Sequence, residues 1–265
     1  MKRYSFIGAG NMAYAIVCGM GESADITVYD KISSQYGKFA ETVKRAKSLD
    51  DAVENADVIV FAIKPQNFKD VLKEIRESKI QLDGKLFITI AAGITIASIC
   101  NGLGGEVPVI RAMPNTPLLI GKGVTAISGN ALVSLDDFDE VSRLFSAIGT
   151  VLKLDESQMN TVICATSSAP AYVYHFIDCI VKEAVEQGLP REKMLCAVCE
   201  MVKGSADMIM NTDKSPEELI RMVTSPNGTT ERAMNVIYEN KLCDIVSEAM
   251  RACTKRAEEL SKELE

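Results

Sequence analysis

A glycine turn set between an apolar run and a helical stretch, within the first twenty residues, limits the folds open to this chain most strongly. Residues 4–8 read as a strand and residues 11–20 as a helix. Gly8-Ala9-Gly10-Asn11-Met12-Ala13 joins them. This matches the fingerprint G-x-G-x-x-A. The first glycine makes a tight turn, and the second lets backbone approach a pyrophosphate. The small sixth residue lets the helix pack closely on the strand. Asp30 follows Gly10 by twenty positions, at the end of a second expected strand over 26–30. An acidic side chain there accepts hydrogen bonds from the ribose hydroxyls of NAD and repels the 2′-phosphate of NADP. Lys31, Ser33 and Ser34 lie close enough to offset part of that repulsion. The expected cofactor is therefore NADH or NADPH, with NADH favoured. A glycine turn without a ligand is the bland alternative, and the strand-turn-helix context weighs against it.

The rest of the first half continues the alternation. Residues 58–63 form a continuous apolar run, as a strand buried on both faces requires. Residues 86–90 and 107–112 are similar, and 124–128 and 151–154 read as later strands. Residues 67–78 and 135–148 have helical period. This alternation predicts a parallel sheet with helices on both faces. Beyond about Asp155 strand runs stop. Residues 156–188, 191–210, 216–223, 229–240 and 242–264 all read as helices, broken at Gly188-Leu189-Pro190 and Asn211-Thr212-Asp213. The expected organisation is an α/β dinucleotide-binding domain over 1–155 and an all-α domain over 156–265. The helices of the second are apolar over much of their circumference, more than one small core can use, so a helical dimer interface is expected to bury the surplus.

Composition narrows the function. Of 265 residues, 47% are apolar and 25% charged, as in a soluble globular protein. The net charge of −7, with no basic stripe, argues against nucleic acid as a partner. Met1-Lys2-Arg3 and the apolar residues after it loosely imitate a signal peptide. Gly8, Gly10 and Asn11 interrupt that stretch, and Glu22 and Asp25 follow, so no signal is expected. The longest apolar-looking run, 86–100, is about 15 residues and too short to span a bilayer. Eight cysteines scattered through apolar segments read as reduced, buried thiols in a cytosolic protein. His175 and Cys179 stand four apart, and Cys196 and Cys199 three apart. Neither pair has partners at zinc spacing, so packing roles are expected and no metal.

Several loops fall where an open α/β sheet binds ligands, at the carboxyl ends of strands. They are Ala62-Ile63-Lys64-Pro65, Ala91-Ala92-Gly93 and Arg111-Ala112-Met113-Pro114-Asn115-Thr116-Pro117, the last with an Asn115 amide to offer a pocket mouth. Each is also readable as a tight strand–helix connection. In the helical half, Ser225-Pro226-Asn227-Gly228-Thr229-Thr230 is turn chemistry followed by a helix start. Free backbone N–H groups at the positive end of a helix dipole, with three hydroxyls beside them, suit a small carboxylate or phosphate.

Taken together the chain resembles the pyrroline-5-carboxylate reductase family. The matching pieces are Gly8–Ala13, Ala62-Ile63-Lys64-Pro65-Gln66, Ala91-Ala92-Gly93, Met113-Pro114-Asn115-Thr116-Pro117, Pro170-Ala171-Tyr172 and the loop from Ser225 to Thr230, in family order over nearly the whole chain. Two departures stand out. Thr166-Ser167-Ser168-Ala169-Pro170-Ala171-Tyr172 stands where the family usually has Ser-Gly-Ser-Gly-Pro-Ala-Tyr. Asn227 stands where it usually has glycine, and asparagine tolerates the left-handed backbone that such a turn needs. The resemblance implies a Rossmann-type domain followed by an α-helical dimerisation domain, with homodimers or rings of dimers. It also implies NAD(P)H-dependent reduction of 1-pyrroline-5-carboxylate to proline, the last step of proline biosynthesis.

On that resemblance, the expected cofactor residues are Gly8, Gly10, Asn11, Met12, Asp30, Ala62, Lys64, Pro65, Ala91, Gly93 and Asn115. The expected substrate residues are Ser225, Asn227, Gly228, Thr229 and Thr230, with Asp213 organising their loop. Thr230 is placed at the ring nitrogen as the catalytic residue. Hydride transfer to a protonated imine needs orientation more than a nucleophile or a metal. Rival readings are a reductase for another cyclic imino acid, a β-hydroxyacid enzyme, and an NAD-binding regulator without turnover. The hydroxyacid enzymes need a lysine base that the segment 166–174 does not contain.

Overall fold

The computed structural model describes residues 2–21 and 24–264. Met1, Glu22, Ser23 and Glu265 lie outside the described residues. Among the described residues, eight strands form one sheet. They are β1 (Arg3–Ile7), β2 (Asp25–Tyr29), β3 (Lys44–Arg45), β4 (Val58–Phe61), β5 (Leu86–Thr89), β6 (Val109–Met113), β7 (Gly123–Gly129) and β8 (Gly149–Lys153). Their spatial order is β3-β2-β1-β4-β5-β6-β7-β8. The order reverses between β1 and β4, the switch point at which such sheets bind ligands.

Period-two alternation along these strands builds two cores. Tyr4, Phe6, Val58, Val60, Leu86 and Ile88 face one side, packing with Ala13 and Ile16 of α1 (Asn11–Met20) and Val141 and Phe145 of α5 (Leu135–Ser146). Ile7, Ile59, Phe61 and Phe87 face the other. They meet α2 (Leu49–Glu54), α3 (Phe68–Ser78) and α4 (Ile96–Leu103). The expected layering, helices on both faces, is what forms.

The sheet is not wholly parallel as expected. β6 and β7 pair antiparallel, with Arg111 opposite Ser128, while β7 and β8 are parallel again. Between Met113 and Gly123 lies only a short connection with a 3-10 turn over Thr116–Ile120. A parallel crossover needs about a dozen residues or more, so the chain turns back on itself instead.

The expected single helix over 156–188 is also broken. It consists of a 3-10 turn (Glu156–Gln158), a π-helical turn (Ile163–Ser167) and α6 (Ala169–Glu186). Pro170 explains the break. It has no N–H to give the carbonyl of Thr166, and its ring crowds that oxygen. The backbone widens, so that Ser168 N–H donates to Ile163 O at 2.8 Å. The freed Thr166 carbonyl accepts from Asn115 Nδ2 at 3.0 Å.

The remaining helices are α7 (Arg191–Asn211), α8 (Pro216–Val223), α9 (Thr229–Glu239) and α10 (Leu242–Leu264). Two compact units result. One holds Met1–Pro170 together with Ala252–Glu265; the other is Ala171–Arg251. The sheet unit thus runs past residue 155 and also takes in the last turns of α10. Ala257 packs there with Met113, Ala126, Met159 and Ile163. Within the helical unit, only Val181 and Val198 are buried hydrophobics among the described residues. Met210, Val223, Val236, Tyr238 and Ile245 are among the large side chains it leaves exposed.

Candidate functional site

The glycine turn between β1 and α1 closes as its chemistry requires. Gly8 has φ +101°, and a Cβ there would lie 2.5 Å from the Ala62 carbonyl oxygen. Any side chain would push β1 and the end of β4 apart. A Cβ on Gly10 would meet nothing within 4 Å, so the turn opens outward at its second glycine. Gly10 is the N-cap of α1 and supplies no side-chain cap. The first N–H groups of the helix, from Asn11 and Met12, therefore stand at an open, positive helix end.

Asp30 closes the β2 side. One carboxylate oxygen accepts from Ala9 N–H at 2.8 Å and the other from Ile32 N–H at 2.8 Å. The group is pinned against the glycine turn, and each oxygen keeps further acceptor capacity. The Tyr36 hydroxyl lies 2.9 Å from the Asp30 carbonyl and fixes the same corner. Nearby cations are engaged elsewhere. Lys31 Nζ is 3.4 Å from Glu74, and Lys38 Nζ donates to Gln35 at 2.8 Å and to Asn11 at 3.2 Å. Gly8, Gly10, Asp30, Ala62, Ile63 and Lys64 line a cavity of ≈ 460 Å³ at the carboxyl ends of β1, β2 and β4. Pro65 starts the 3-10 turn after Lys64 and stiffens that wall.

Farther along the sheet edge the expected residues take other partners. Ala91 is buried in the core beneath α4. Gly93 has φ +77°, and a Cβ there would lie 2.5 Å from Leu260 Cβ, so this glycine admits α10 to the end of β5. Asn115 uses both ends of its amide inside the protein. Its Nδ2 holds Thr166 O, and its Oδ1 accepts from Val124 N–H at 2.8 Å.

In the helical unit, the Ser225 loop is a four-residue turn. Gly228 N–H donates to Ser225 O at 2.9 Å, and Asn227 takes φ +59° at the third position. That is the left-handed residue such a turn demands. Gly228 is the N-cap of α9 and gives no side-chain cap. Asn227 N–H donates to Glu231 Oε2 at 2.9 Å. Of the expected carboxylate donors, those of Asn227 and Gly228 are thus used within the loop. The N–H groups of Thr229, Thr230 and Glu231 begin the helix without an acceptor among the described residues. Ser225 and Thr229 are exposed and Thr230 half-buried. Asp213 lies exposed in the α7–α8 connection, and no hydrogen bond or ion pair of its side chain is found among the described residues. The His175–Cys179 pair stands at 3.7 Å, and no cluster of three metal-ligating side chains occurs among the described residues. Only Cys100 and Cys164 are buried as expected; Cys18, Cys179, Cys196, Cys199 and Cys243 are exposed, the last four because the helical unit buries few side chains within one chain.

Sequence reasoning placed Arg111 at the start of a strand-end loop but gave it no role of its own. Only 1% of this β6 side chain is exposed. Its Nη2 donates to Asn160 Oδ1 at 2.5 Å, and Nη1 lies 4.0 Å from Glu156 Oε1. Burial lowers its pKa, with Glu156 opposing the shift. An arginine beginning a Met-Pro-Asn loop carries no sign of burial, because its partners lie some fifty residues away. The role of Glu231 was partly legible, since an acid in a helix's first turn commonly accepts from a backbone N–H nearby.

Comparison with known proteins joins these pieces. A family model described as pyrroline-5-carboxylate reductase dimerisation matches residues 156–260. One described as NADP oxidoreductase coenzyme F420-dependent matches residues 3–93. The pyrroline-5-carboxylate reductase of Escherichia coli K12 is 36% identical over 270 residues, covering 98% of this chain and 99% of that protein. The crystal structure of 1-pyrroline-5-carboxylate reductase from Streptococcus pyogenes superposes with a TM-score of 0.91 at 30% identity, covering 97% of this chain and 98% of that one. The pyrroline carboxylate reductase of Plasmodium falciparum, solved with NADP bound, gives 0.90 at 26% identity, with 98% of each chain covered. The glycine turn with its pinned Asp30, the uncapped start of α9 and these full-length matches agree, and the chain belongs to the pyrroline-5-carboxylate reductase family.

Proposed function

We propose that this protein reduces 1-pyrroline-5-carboxylate to L-proline, with NADH or NADPH as the reductant. The observation that carries the reading is the loop at Ser225–Thr230, where a left-handed Asn227 opens α9 with its first N–H groups unpaired. Such an end suits a carboxylate. The fit to a dinucleotide rests on the Gly8–Ala62 approach, the open face of Gly10 and the cavity beside Asp30.

When bound, the dinucleotide supplies a hydride from its nicotinamide ring. The N–H groups of Asn11 and Met12 receive the pyrophosphate at Gly10, and Asp30 accepts from the ribose hydroxyls. Ala62, Lys64, Pro65, Ala91, Gly93 and Asn115 form or support the wall along which the other half of the cofactor lies. Ser225 and the N–H groups at the start of α9 hold the substrate carboxylate. Thr230 Oγ1 donates to or accepts from the ring nitrogen and fixes the face of the imine presented to the hydride. A threonine hydroxyl is a weak acid, so its main contribution is orientation. Asp213 is assigned to organise the loop, on its match to an acidic position of the family.

Residues 1–155 serve the dinucleotide and residues 156–265 the substrate and self-association. The exposed apolar side chains of 171–251 support self-association as a homodimer or a ring of dimers. No helix among the described residues is long and apolar enough to cross a membrane. All eight cysteines are free, which supports a cytoplasmic setting. Acidic charge makes nucleic acid a poor partner. Pinned Asp30, with Lys31 and Lys38 engaged elsewhere, supports NADH over NADPH.

Dinucleotide oxidation assayed with 1-pyrroline-5-carboxylate, NADH and NADPH side by side tests the reading. Turnover is expected with both, and faster at limiting NADH. Thr230→Ala is expected to lower kcat by about 10²-fold while NADH affinity stays unchanged. Unchanged turnover in that variant would remove Thr230 from its role. Dinucleotide binding without turnover in the wild type would favour a regulator, and turnover only with another cyclic imine would favour a related reductase.

A further inference from the structure

A polar seam, buried at Arg111 and Ser261 and half-buried at Asn160 and Glu156, joins parts of the sheet unit that are distant in sequence. Arg111 Nη2 donates to Asn160 Oδ1. The other end of that amide, Asn160 Nδ2, donates to Ser261 Oγ at 3.1 Å. Ser261 is 6% exposed, and its hydroxyl donates to the Ala257 carbonyl one turn back in α10. On the other side of Arg111, Glu156 Oε1 accepts from Ile96 N–H at 2.7 Å, the first residue of α4. The seam thus runs from α4 through β6 and the segment after β8 to the end of α10. It encloses the loop Ala91–Gly93, where Leu260 packs against the bare Cα of Gly93.

That loop occupies a particular place on the sheet edge. Asp30, directly after β2, lies to one side of the glycine turn. β4 and β5 lie to the other. A dinucleotide anchored by its pyrophosphate at Gly10, with one ribose at Asp30, must extend its reactive half toward β4 and β5. Arg111 does not line the cavity beside Asp30. Its Nε is buried without a partner among the described residues. A guanidinium kept in such surroundings loses hydration that its few partners replace only in part, so its burial is not itself a source of stability. Its planar head instead orients the Asn160 amide through Nη2 and faces the Glu156 carboxylate across 4.0 Å.

We infer that Arg111, acting through Asn160 and Ser261, is a positioning residue for hydride transfer. It holds the last turns of α10 on Gly93 and so fixes the β5 loop against the reactive half of the cofactor. The assignment rests on the reductase reading above. It predicts a defect confined to the reactive ring, leaving the Asp30 half intact.

Arg111→Met and Ser261→Ala in the full-length protein test it. Each is measured for melting temperature, kcat, ADP-ribose affinity and amide hydrogen exchange. ADP-ribose lacks only the nicotinamide ring, so it reports the Asp30 side, the pyrophosphate and the second ribose but not the reactive ring. The expected result is a fall in kcat of about tenfold, the effect of leaving one buried polar group unpaired. ADP-ribose affinity stays at the wild-type value. Exchange speeds up at 91–95 and 252–261 and stays the same at 8–13. If Arg111→Met does not fold, Ser261→Ala decides. Unchanged kcat and exchange in a folded variant would overturn the inference. So would a loss of ADP-ribose affinity equal to the loss in kcat, because the whole cleft would then have been disturbed. If the wild type does not reduce 1-pyrroline-5-carboxylate, the reductase reading fails, and the exchange pattern then supports or overturns the seam by itself.

Discussion

The sheet unit and the helical unit solve the problem of apolar burial in opposite ways. Phe6, Phe61, Phe87 and Val28 of the sheet unit are fully buried within a single chain. In the helical unit, Met201, Met208, Val236, Tyr238 and Ile245 remain about half exposed or more. Both units have helices with good caps, such as Ser134 on α5 and Ser215 on α8. Capping therefore does not distinguish them. The difference lies in where the apolar stripe goes. A sheet offers a wide surface that covers each helix once. The helices of the other unit have no such surface, and much of their apolar side-chain area stays exposed within one chain.

Phe87→Ala should give the largest change. Phe87 is 0% exposed and stacks on Phe61 at 6.0 Å. Its loss should cost about 3–5 kcal/mol. Calorimetry should show a melting temperature lower by roughly 10 °C at every protein concentration. A concentration-dependent loss would break the comparison, because the sheet unit would then also depend on association. Met208→Asp should come next. This side chain is 45% exposed in the single chain, and a carboxylate there would be desolvated in a dimer. Association should weaken by about 2–4 kcal/mol, seen as a 10²–10³-fold rise in the dimer dissociation constant by sedimentation. A variant as dimeric as the wild type would place the interface on another stripe.

The smallest effect belongs to the Arg3–Asp57 pair at the start of β1. The Arg3 side chain holds the Asp57 carboxyl down at about 2, chiefly through their hydrogen bond. A depressed carboxyl stabilises the fold above its unfolded pKa of about 4 and loses that contribution as pH falls through about 2. Both side chains are partly exposed, at 50% and 36%, so solvent screens the pair. Asp57→Asn should therefore move the acid-unfolding midpoint by only on the order of a few tenths of a pH unit. The shift should not depend on protein concentration, which would mark it as a property of the sheet unit alone.

Most of the sheet unit was legible because its strands are apolar on both faces and its glycine turn is local. β3 was missed, since Lys44 and Arg45 carry no apolar signal and pair only with the edge of β2. α4 was hidden inside the apolar run 86–100, where period alone does not separate a strand from the helix after it. The antiparallel turn at β6–β7 depended on the length of a loop more than on its composition. Pro170 signalled a break in the long expected helix, but the partner that makes the break tolerable, Asn115, lies 51 residues away. For the same reason Asn115 and Gly93 read as ligand contacts from their motifs, while their visible partners are protein groups. The left-handed Asn227 was legible because its turn is complete within four residues.

The bond between Asn160 and Ser261 spans 101 residues of chain. A ribosome must pass residue 261 before this seam can close, although most of the sheet has been made long before. The helical unit, residues 171–251, is synthesised in the interval. The dinucleotide-binding unit therefore cannot reach its final form during its own synthesis. Its last wall arrives only after the whole helical unit has been made, so the seam closes late in synthesis, after most of the residues it joins are made.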